Sequence, residues 1–203
     1  MVLESLLTAQ IAERKPLKML PLSVLYSSIG VLLALWIFPS NYLAVIAFTV
    51  IAMIPLMVNI MRLEESKEEI SKSLIPLSSH RDIFPFFVYM FVGLTISFAI
   101  WFLILPHEAV SQLFSSQISA ISGHVAINSI FTKIFINNIR VLAFSIIFSL
   151  LYGAGAIFII TWNASLVGVA IANTARSLVA GQSANYFGAF SIGVARYLTH
   201  GIP

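Results

Sequence analysis

The sequence has no cysteine and very few charged residues. Charged side chains make up 9% of the 203 residues, far below the roughly 25% of an average soluble domain. The absence of cysteine excludes disulfides and thiolate chemistry within these residues. No acidic residue follows Glu108, although almost half of the chain lies beyond it. No acidic side chain is therefore available for chemistry after residue 108.

Hydrophobic residues are abundant instead. They make up 59% of the chain, and several apolar runs approach the roughly 20 residues that a helix needs to cross a bilayer. The composition predicts an all-α, polytopic membrane protein with about five transmembrane helices in a single transmembrane domain. The predicted spans are residues 20–38, 42–61, 83–105, 139–160 and 164–180.

Three segments outside these spans have distinct characters. Residues 62–82 form the one hydrophilic loop. Residues 107–131 have the apolar period of an amphipathic helix. Their polar face carries serine but neither lysine nor arginine, unlike a helix that lies on lipid, so we expect this helix to pack on the protein at the outer surface. Residues 182–203 are only mildly apolar and predict an interfacial or re-entrant segment.

The distribution of basic residues predicts how the chain is oriented in the membrane. Seven of the eleven lysines and arginines precede the first span or lie in the 62–82 loop. Because short cytoplasmic loops are enriched in these residues, we expect a multi-pass protein of the cell membrane with a cytoplasmic N-terminus. The 107–131 helix then lies on the outer side.

Small residues recur every four positions in the last two predicted spans, which places them on one side of each helix. Such stripes allow membrane helices to approach closely. We therefore expect the fourth and fifth spans to pack antiparallel, joined by a tight turn at residues 161–163. The predicted packing residues are Ser145, Ser149 and Gly153 in one span and Ala164, Gly168 and Ala172 in the other.

Arg176 is the next residue, four positions on, in the second stripe. A charged side chain inside a membrane span is costly unless it reaches the interface or finds a partner. Two arrangements are open: Arg176 extends to the interface, or it is buried against Asn137 or a backbone carbonyl.

No catalytic constellation is visible. The four histidines lack the spacing of a zinc-binding helix, and no serine lies on a glycine-flanked nucleophile turn. No acidic residue falls inside a predicted span, although intramembrane hydrolases and proton-driven carriers usually need one. We expect a protein that is not an enzyme, with no metal and no cofactor. The modest net charge of +3 does not suggest nucleic acid as a partner.

The remaining polar residues lie near the ends of the predicted spans. They either hold helices together or contact a ligand, a lipid headgroup or a protein partner. The candidate contact residues are Asn137, Asn138, Arg140, Asn163, Arg176, Arg196 and His200.

The order of several short motifs resembles the stage II sporulation protein M family, over nearly the whole chain. In the second half these are the pair Asn137-Asn138, then Gly153, Asn163, Gly168 and the closing sequence His200-Gly201-Ile202-Pro203. In the first half, the Pro39 turn, the sequence Arg62-Leu63-Glu64-Glu65 and the pair Ser79-His80 resemble archaeal members. In the family a glutamate and further apolar helix typically follow the His-Gly element, so we expect this chain to be truncated or to lack the last span or two.

The resemblance implies a multi-pass protein without known catalytic residues. In spore-forming bacteria the family member anchors cell-wall hydrolases during engulfment, whereas most archaea have no peptidoglycan. We therefore expect only the architecture and a scaffold or assembly role, with membrane lipids and a membrane-protein partner or a second copy of the chain as partners. The alternative is a transporter, channel or lipid-binding protein that uses the polar helix ends near Asn137, Asn163 and Arg176.

Overall fold

The structure is a computed structural model. It describes residues 15–71, 84–121, 135–136, 138–140, 142–147, 155–180, 188, 191–192 and 194–195, with only the backbone for residues 64, 65, 67–71 and 180. Among the predicted functional and packing residues, Asn137, Ser149, Gly153, Arg196 and His200 lie outside this part of the chain.

The described residues form helices and no strand. The helices are α1 (Met19–Ile37), α2 (Tyr42–Ser71), α3 (Phe84–Ile104), α4 (His107–Leu113), α5 (Ser115–Ile121) and α6 (Gly155–Ala180), and the 3-10 turn Pro16–Lys18 precedes α1. Four of these helices, α1, α2, α3 and α6, are long and apolar enough to cross a membrane. The predicted class, an all-α polytopic membrane protein, is confirmed.

α1 and α2 form an antiparallel pair joined by the predicted turn at Pro39. Asn41 precedes α2, and its side-chain oxygen accepts a hydrogen bond of 3.0 Å from the backbone N–H of Leu43. This bond satisfies one of the free donors at the start of the helix. Across the pair, a Cβ at Gly30 would lie 2.8 Å from the backbone nitrogen of Thr49, so the two backbones touch.

α3 lies in the centre of the bundle, parallel to α1 on one side and to α6 on the other. A Cβ at Gly93 would lie 2.6 Å from the carbonyl oxygen of Leu20 in the first turn of α1. Further along both helices, the indole N–H of Trp101 donates to the hydroxyl of Ser28 over 2.9 Å. The two contacts progress in the same direction along both helices, which shows that the helices are parallel.

The contact of α3 with α6 involves one residue of the predicted stripe, but with a different neighbour. A Cβ at Gly168 would lie 2.6 Å from the carbonyl oxygen of Thr95 and 3.1 Å from the backbone nitrogen of Ala99. Gly168 therefore packs on the third span. The prediction that this stripe faces the fourth span is wrong for Gly168, because glycine admits whichever backbone the fold brings to it.

The predicted turn at residues 161–163 is also wrong, since α6 runs unbroken from Gly155 to Ala180. These three residues include neither proline nor glycine, the residues that most often end helices. Asn163 donates to the carbonyl of Ile159 in its own helix over 2.8 Å, and the side chains of Thr161 and Trp162 are buried in the bundle. The predicted fifth span, 164–180, is thus the later part of α6, and the predicted fourth span ends too late at residue 160.

Helical residues 142–147 lie beside the beginning of α6. The hydroxyl of Ser145 donates to the carbonyl of Gly155 over 3.2 Å, and the rings of Phe144 and Phe158 stack with centroids 5.6 Å apart. Later residues on α6 therefore meet earlier residues on this segment, which is an antiparallel arrangement. Ser145 is buried as predicted, but it contacts Gly155 and not the stripe of Ala164, Gly168 and Ala172.

The described part of the predicted outer helix 107–131 differs from the prediction in continuity and in depth. Residues 107–121 form two short helices, α4 and α5, separated at Phe114. Phe114 is fully buried and packs edge-on against Phe98 and Phe102 of α3. The apolar period predicted helix correctly, but a run of buried aromatic contacts draws the segment back between the spans instead of leaving it on the outer surface.

Candidate functional site

Gln117 on α5 is the deepest polar residue of the re-entrant pair α4–α5. Its side chain is fully buried, and its amide nitrogen donates to the hydroxyl of Ser165 on α6 over 3.3 Å. Ser165 lies ten residues after the start of α6, so the contact is about 15 Å along the helix from that end. The pair joins two helices well inside the apolar part of the bundle.

Two more buried polar side chains flank Ser165 on α6. Thr161 is one helical turn before it, and Trp162 is three residues before it, so both are its neighbours on the helix surface. The hydroxyl of Thr161, the indole N–H of Trp162 and the amide oxygen of Gln117 have no hydrogen-bond partner among the described residues. We call Gln117, Thr161, Trp162 and Ser165 the polar cluster.

The polar cluster offers hydrogen bonds without a formal charge. Trp162 can only donate and the Gln117 oxygen can only accept, whereas the Thr161 hydroxyl can do both. These groups carry no formal charge, so they give no electrostatic preference for an ion. In the described part of the chain, no group of histidine, aspartate or glutamate side chains could hold a metal ion.

Arg176 lies at the other polar position of the bundle, where α3 ends. One of its terminal nitrogens donates to the carbonyls of Phe102 and Leu105, both over 2.9 Å, and contacts that of Leu103 at 3.3 Å. The last carbonyls of a helix have no partner within the helix, and positive charge is favourable there. Arg176 is half-buried, and backbone carbonyls, one of the kinds of partner left open above, are what it contacts.

The other described candidate contact residues do not join Arg176. Asn138 and Arg140 are exposed on another segment. Asn163 is exposed on α6 and bonded to its own helix. It lies 13 residues before Arg176, which is about 20 Å along the axis and about 220° around it. The structure does not bring Asn163 and Arg176 to one site.

The polar cluster was missed at the level of sequence, although one signal for it was present. Val110, Leu113 and Phe114 form the apolar face of the 107–131 period, and Gln117 occupies the next position on that face. A glutamine among apolar positions of an amphipathic helix is a candidate for a buried hydrogen bond, since buried polar groups are usually paired.

Comparisons with known protein families, with curated proteins and with solved structures found no match to this chain.

Proposed function

We propose that the protein is a non-catalytic membrane scaffold or assembly factor, in keeping with its resemblance to the stage II sporulation protein M family. The observation that carries this proposal is the length of α2. The apolar stretch of this helix ends at Leu63, but the helix continues to Ser71. The helix therefore continues for eight residues beyond its apolar stretch.

The sequence of this extension suits a protein partner. It contains Glu64, Glu65, Glu68 and Glu69, and only one lysine. Because the backbone is already helical, a partner with a basic groove would not have to order it on binding, which lowers the entropic cost of association.

The contacts of Arg176 support the same proposal. Arg176 is bound by three carbonyls and lies 5.2 Å from the centre of the Phe102 ring. A guanidinium held in this way stabilises the junction of α3 and α4. Close backbone contacts at Gly93 and Gly168 make the central helix a rigid support.

The test is purification of the full-length chain from its native membranes in mild detergent. We expect a membrane-protein partner or a second copy in fixed stoichiometry. Replacement of Glu64, Glu65, Glu68 and Glu69 by glutamine should release a protein partner without lowering the melting temperature. Glu108→Gln, at an exposed acid in the first turn of α4, is the control and should retain the partner.

Two results would contradict the proposal. A monodisperse monomer without a partner would argue against a scaffold. A partner retained by the glutamine variant, with unchanged affinity, would show that the α2 extension is not where it docks.

A second candidate function is passage or binding of a small neutral solute, and the polar cluster favours it. Interrupted helices at membrane depth are common where transporters bind their substrates, and α4–α5 is such an element. This candidate would use Gln117 and Ser165 rather than the helix ends near Asn137, Asn163 and Arg176.

Proteoliposomes distinguish the two functions. Stopped-flow measurements with water and glycerol should give the same permeability as empty liposomes if the protein is only a scaffold. Permeability well above that of empty liposomes, reduced by Gln117→Leu and unchanged by Asn163→Leu, would favour the second function.

A further inference from the structure

A surface groove lies at the end of the bundle where α1 begins. Its volume is about 780 Å³, and it is lined by Lys15, Pro16, Leu17, Lys18, Leu20, Pro21 and Tyr89. It is thus formed by the 3-10 turn, the first residues of α1 and one residue of α3. The groove is on the opposite half of α3 from Arg176 and is separate from the polar cluster.

The shape of the groove follows from the sequence around it. Pro16 begins the 3-10 turn, a position that proline tolerates well because no backbone donor is needed there. The start of α1 is held against α3 by the close approach of Leu20 to Gly93. The turn before α1 and the side chain of Tyr89 then form two sides of one depression.

The groove combines apolar walls with two cations. Leu17 is 62% exposed although it is a large hydrophobic residue, and Lys15 and Lys18 are exposed beside it. Among the side chains that the structure describes, neither lysine has an ion-pair partner. A ligand that fills the groove and also contacts both lysines would combine hydrocarbon with negative charge.

The position of the groove identifies which molecule has both. The first apolar span begins at Pro16, so Lys15 and Lys18 lie at the level where that span meets the headgroups. Tyrosine is enriched at the same level, since one end of its ring is apolar and the other polar. We propose that the groove binds an anionic phospholipid of the adjacent leaflet, with its phosphate at Lys15 and Lys18 and a hydrocarbon chain against Leu17, Leu20 and Tyr89.

This proposal goes beyond a scaffold role and is independent of it. The groove lies at the foot of α1 and α3, whereas the proposed docking extension is the end of α2. Loss of a protein partner and loss of lipid binding would therefore be separate results.

Native mass spectrometry of the delipidated full-length protein tests the proposal. Titration with dioleoylphosphatidylglycerol should give one tightly bound lipid, and dioleoylphosphatidylcholine should bind more weakly. The double variant Lys15→Gln/Lys18→Gln should lower the affinity for phosphatidylglycerol about 30-fold, or about fivefold for each lysine near an anionic surface. Arg62→Gln is the matched control, because Arg62 is exposed near the end of the second span but does not line the groove.

A second pair of variants tests the walls of the groove. Leu17→Glu should lower the affinity for phosphatidylglycerol at least tenfold, because it places a carboxylate near the phosphate. Leu17→Gln has nearly the same shape without the charge and should have a smaller effect. Because Leu17 is exposed, neither change is expected to prevent folding.

Three outcomes would overturn the proposal. The first is equal affinity for phosphatidylglycerol and phosphatidylcholine. The second is an equal loss with Arg62→Gln, which would mean general attraction to a basic surface. The third is binding of inorganic phosphate as tight as that of the lipid, which would mean an anion site without a hydrocarbon subsite.

Discussion

Arg176 interacts with Phe102 through both the backbone and the side chain of that residue. Its guanidinium donates to the Phe102 carbonyl over 2.9 Å and lies 5.2 Å from the centre of the Phe102 ring. The same ring packs edge-on against Phe114, at the junction of α4 and α5. One arginine therefore links α6, the end of α3 and the re-entrant pair.

Removal of this arginine should destabilise the bundle. Arg176→Met leaves carbonyls of the last turn of α3 without a donor, so we expect a loss of about 1–3 kcal/mol in the free energy of unfolding. Arg176→Lys should lose less, because it keeps the charge but not the planar group. Thermal unfolding in mild detergent measures both. Arg140→Met makes the same replacement at an exposed arginine and should have little effect; equal melting temperatures for the two methionine variants would contradict this account.

The contact of α6 with α3 leads to a separate prediction, that a larger side chain at position 168 destabilises the protein. Gly168→Leu must displace the backbone of α3 at Thr95, and we expect a loss of about 1–3 kcal/mol, typical of overpacking. Asn173→Leu adds the same side chain at an exposed position on the same helix and should be tolerated. If the two variants have the same melting temperature, then Gly168 does not mark a close helix contact.

Apolar length and small residues predicted much of the bundle but not its pairings. The spans near α1, α2 and α3 follow from apolar length, because only a helix satisfies its backbone in lipid. Gly168 was correctly assigned to a close contact, but its partner is a distant segment of the chain. Nothing in a glycine specifies which backbone approaches it, and Gly30 and Gly93 were missed for the same reason.

The errors in α6 and α4–α5 have different causes. Thr161, Trp162 and Asn163 resemble a turn because their side chains are polar. In the helix, however, Asn163 bonds to the carbonyl of Ile159, and Thr161 and Trp162 are buried in the bundle. The depth of α4–α5 depends on Phe114 fitting between Phe98 and Phe102. That fit is a tertiary contact, and the helical period alone carries no information on it.

Gln117 provides a test of the polar cluster. Gln117→Leu removes an amide oxygen that has no described partner and one bond of 3.3 Å. Ser165 still donates to the carbonyl of Trp162, so we expect a change within about 1 kcal/mol. Gln117→Ala should cost about 2 kcal/mol or more, because it also leaves a cavity. A loss above about 2 kcal/mol for Gln117→Leu, measured by thermal unfolding, would show that the amide oxygen has a partner such as a bound molecule.

The predicted orientation can be tested without removing any native cysteine, because the chain contains none. Ser66 and Ser40 are exposed at opposite ends of α2. In sealed right-side-out cells, Ser40→Cys should react with a membrane-impermeant thiol reagent and Ser66→Cys should not. Permeabilised cells provide the control, in which both should react. The reverse pattern in intact cells would place the α2 extension outside and would contradict the orientation predicted from the basic residues.

The path of the chain before α6 leads to the last prediction. The Ser145 hydroxyl lies 3.2 Å from the Gly155 carbonyl, so the double variant Ser145→Cys/Gly155→Cys should form a disulfide on mild oxidation. If the chain instead turned at residues 161–163, the two positions would lie on one continuous helix, about 15 Å apart, and could not be joined.

The matched control for this cross-link is Ser145→Cys/Asn163→Cys. Asn163 lies eight residues further along α6, about 12 Å from Gly155 along the axis, and should not cross-link with residue 145. The intramolecular product can be recognised by mass spectrometry of the proteolysed protein before and after reduction. A cross-link at Asn163 and none at Gly155 would mean that the chain does not reverse ahead of α6 as the contacts of Ser145 and Phe144 indicate.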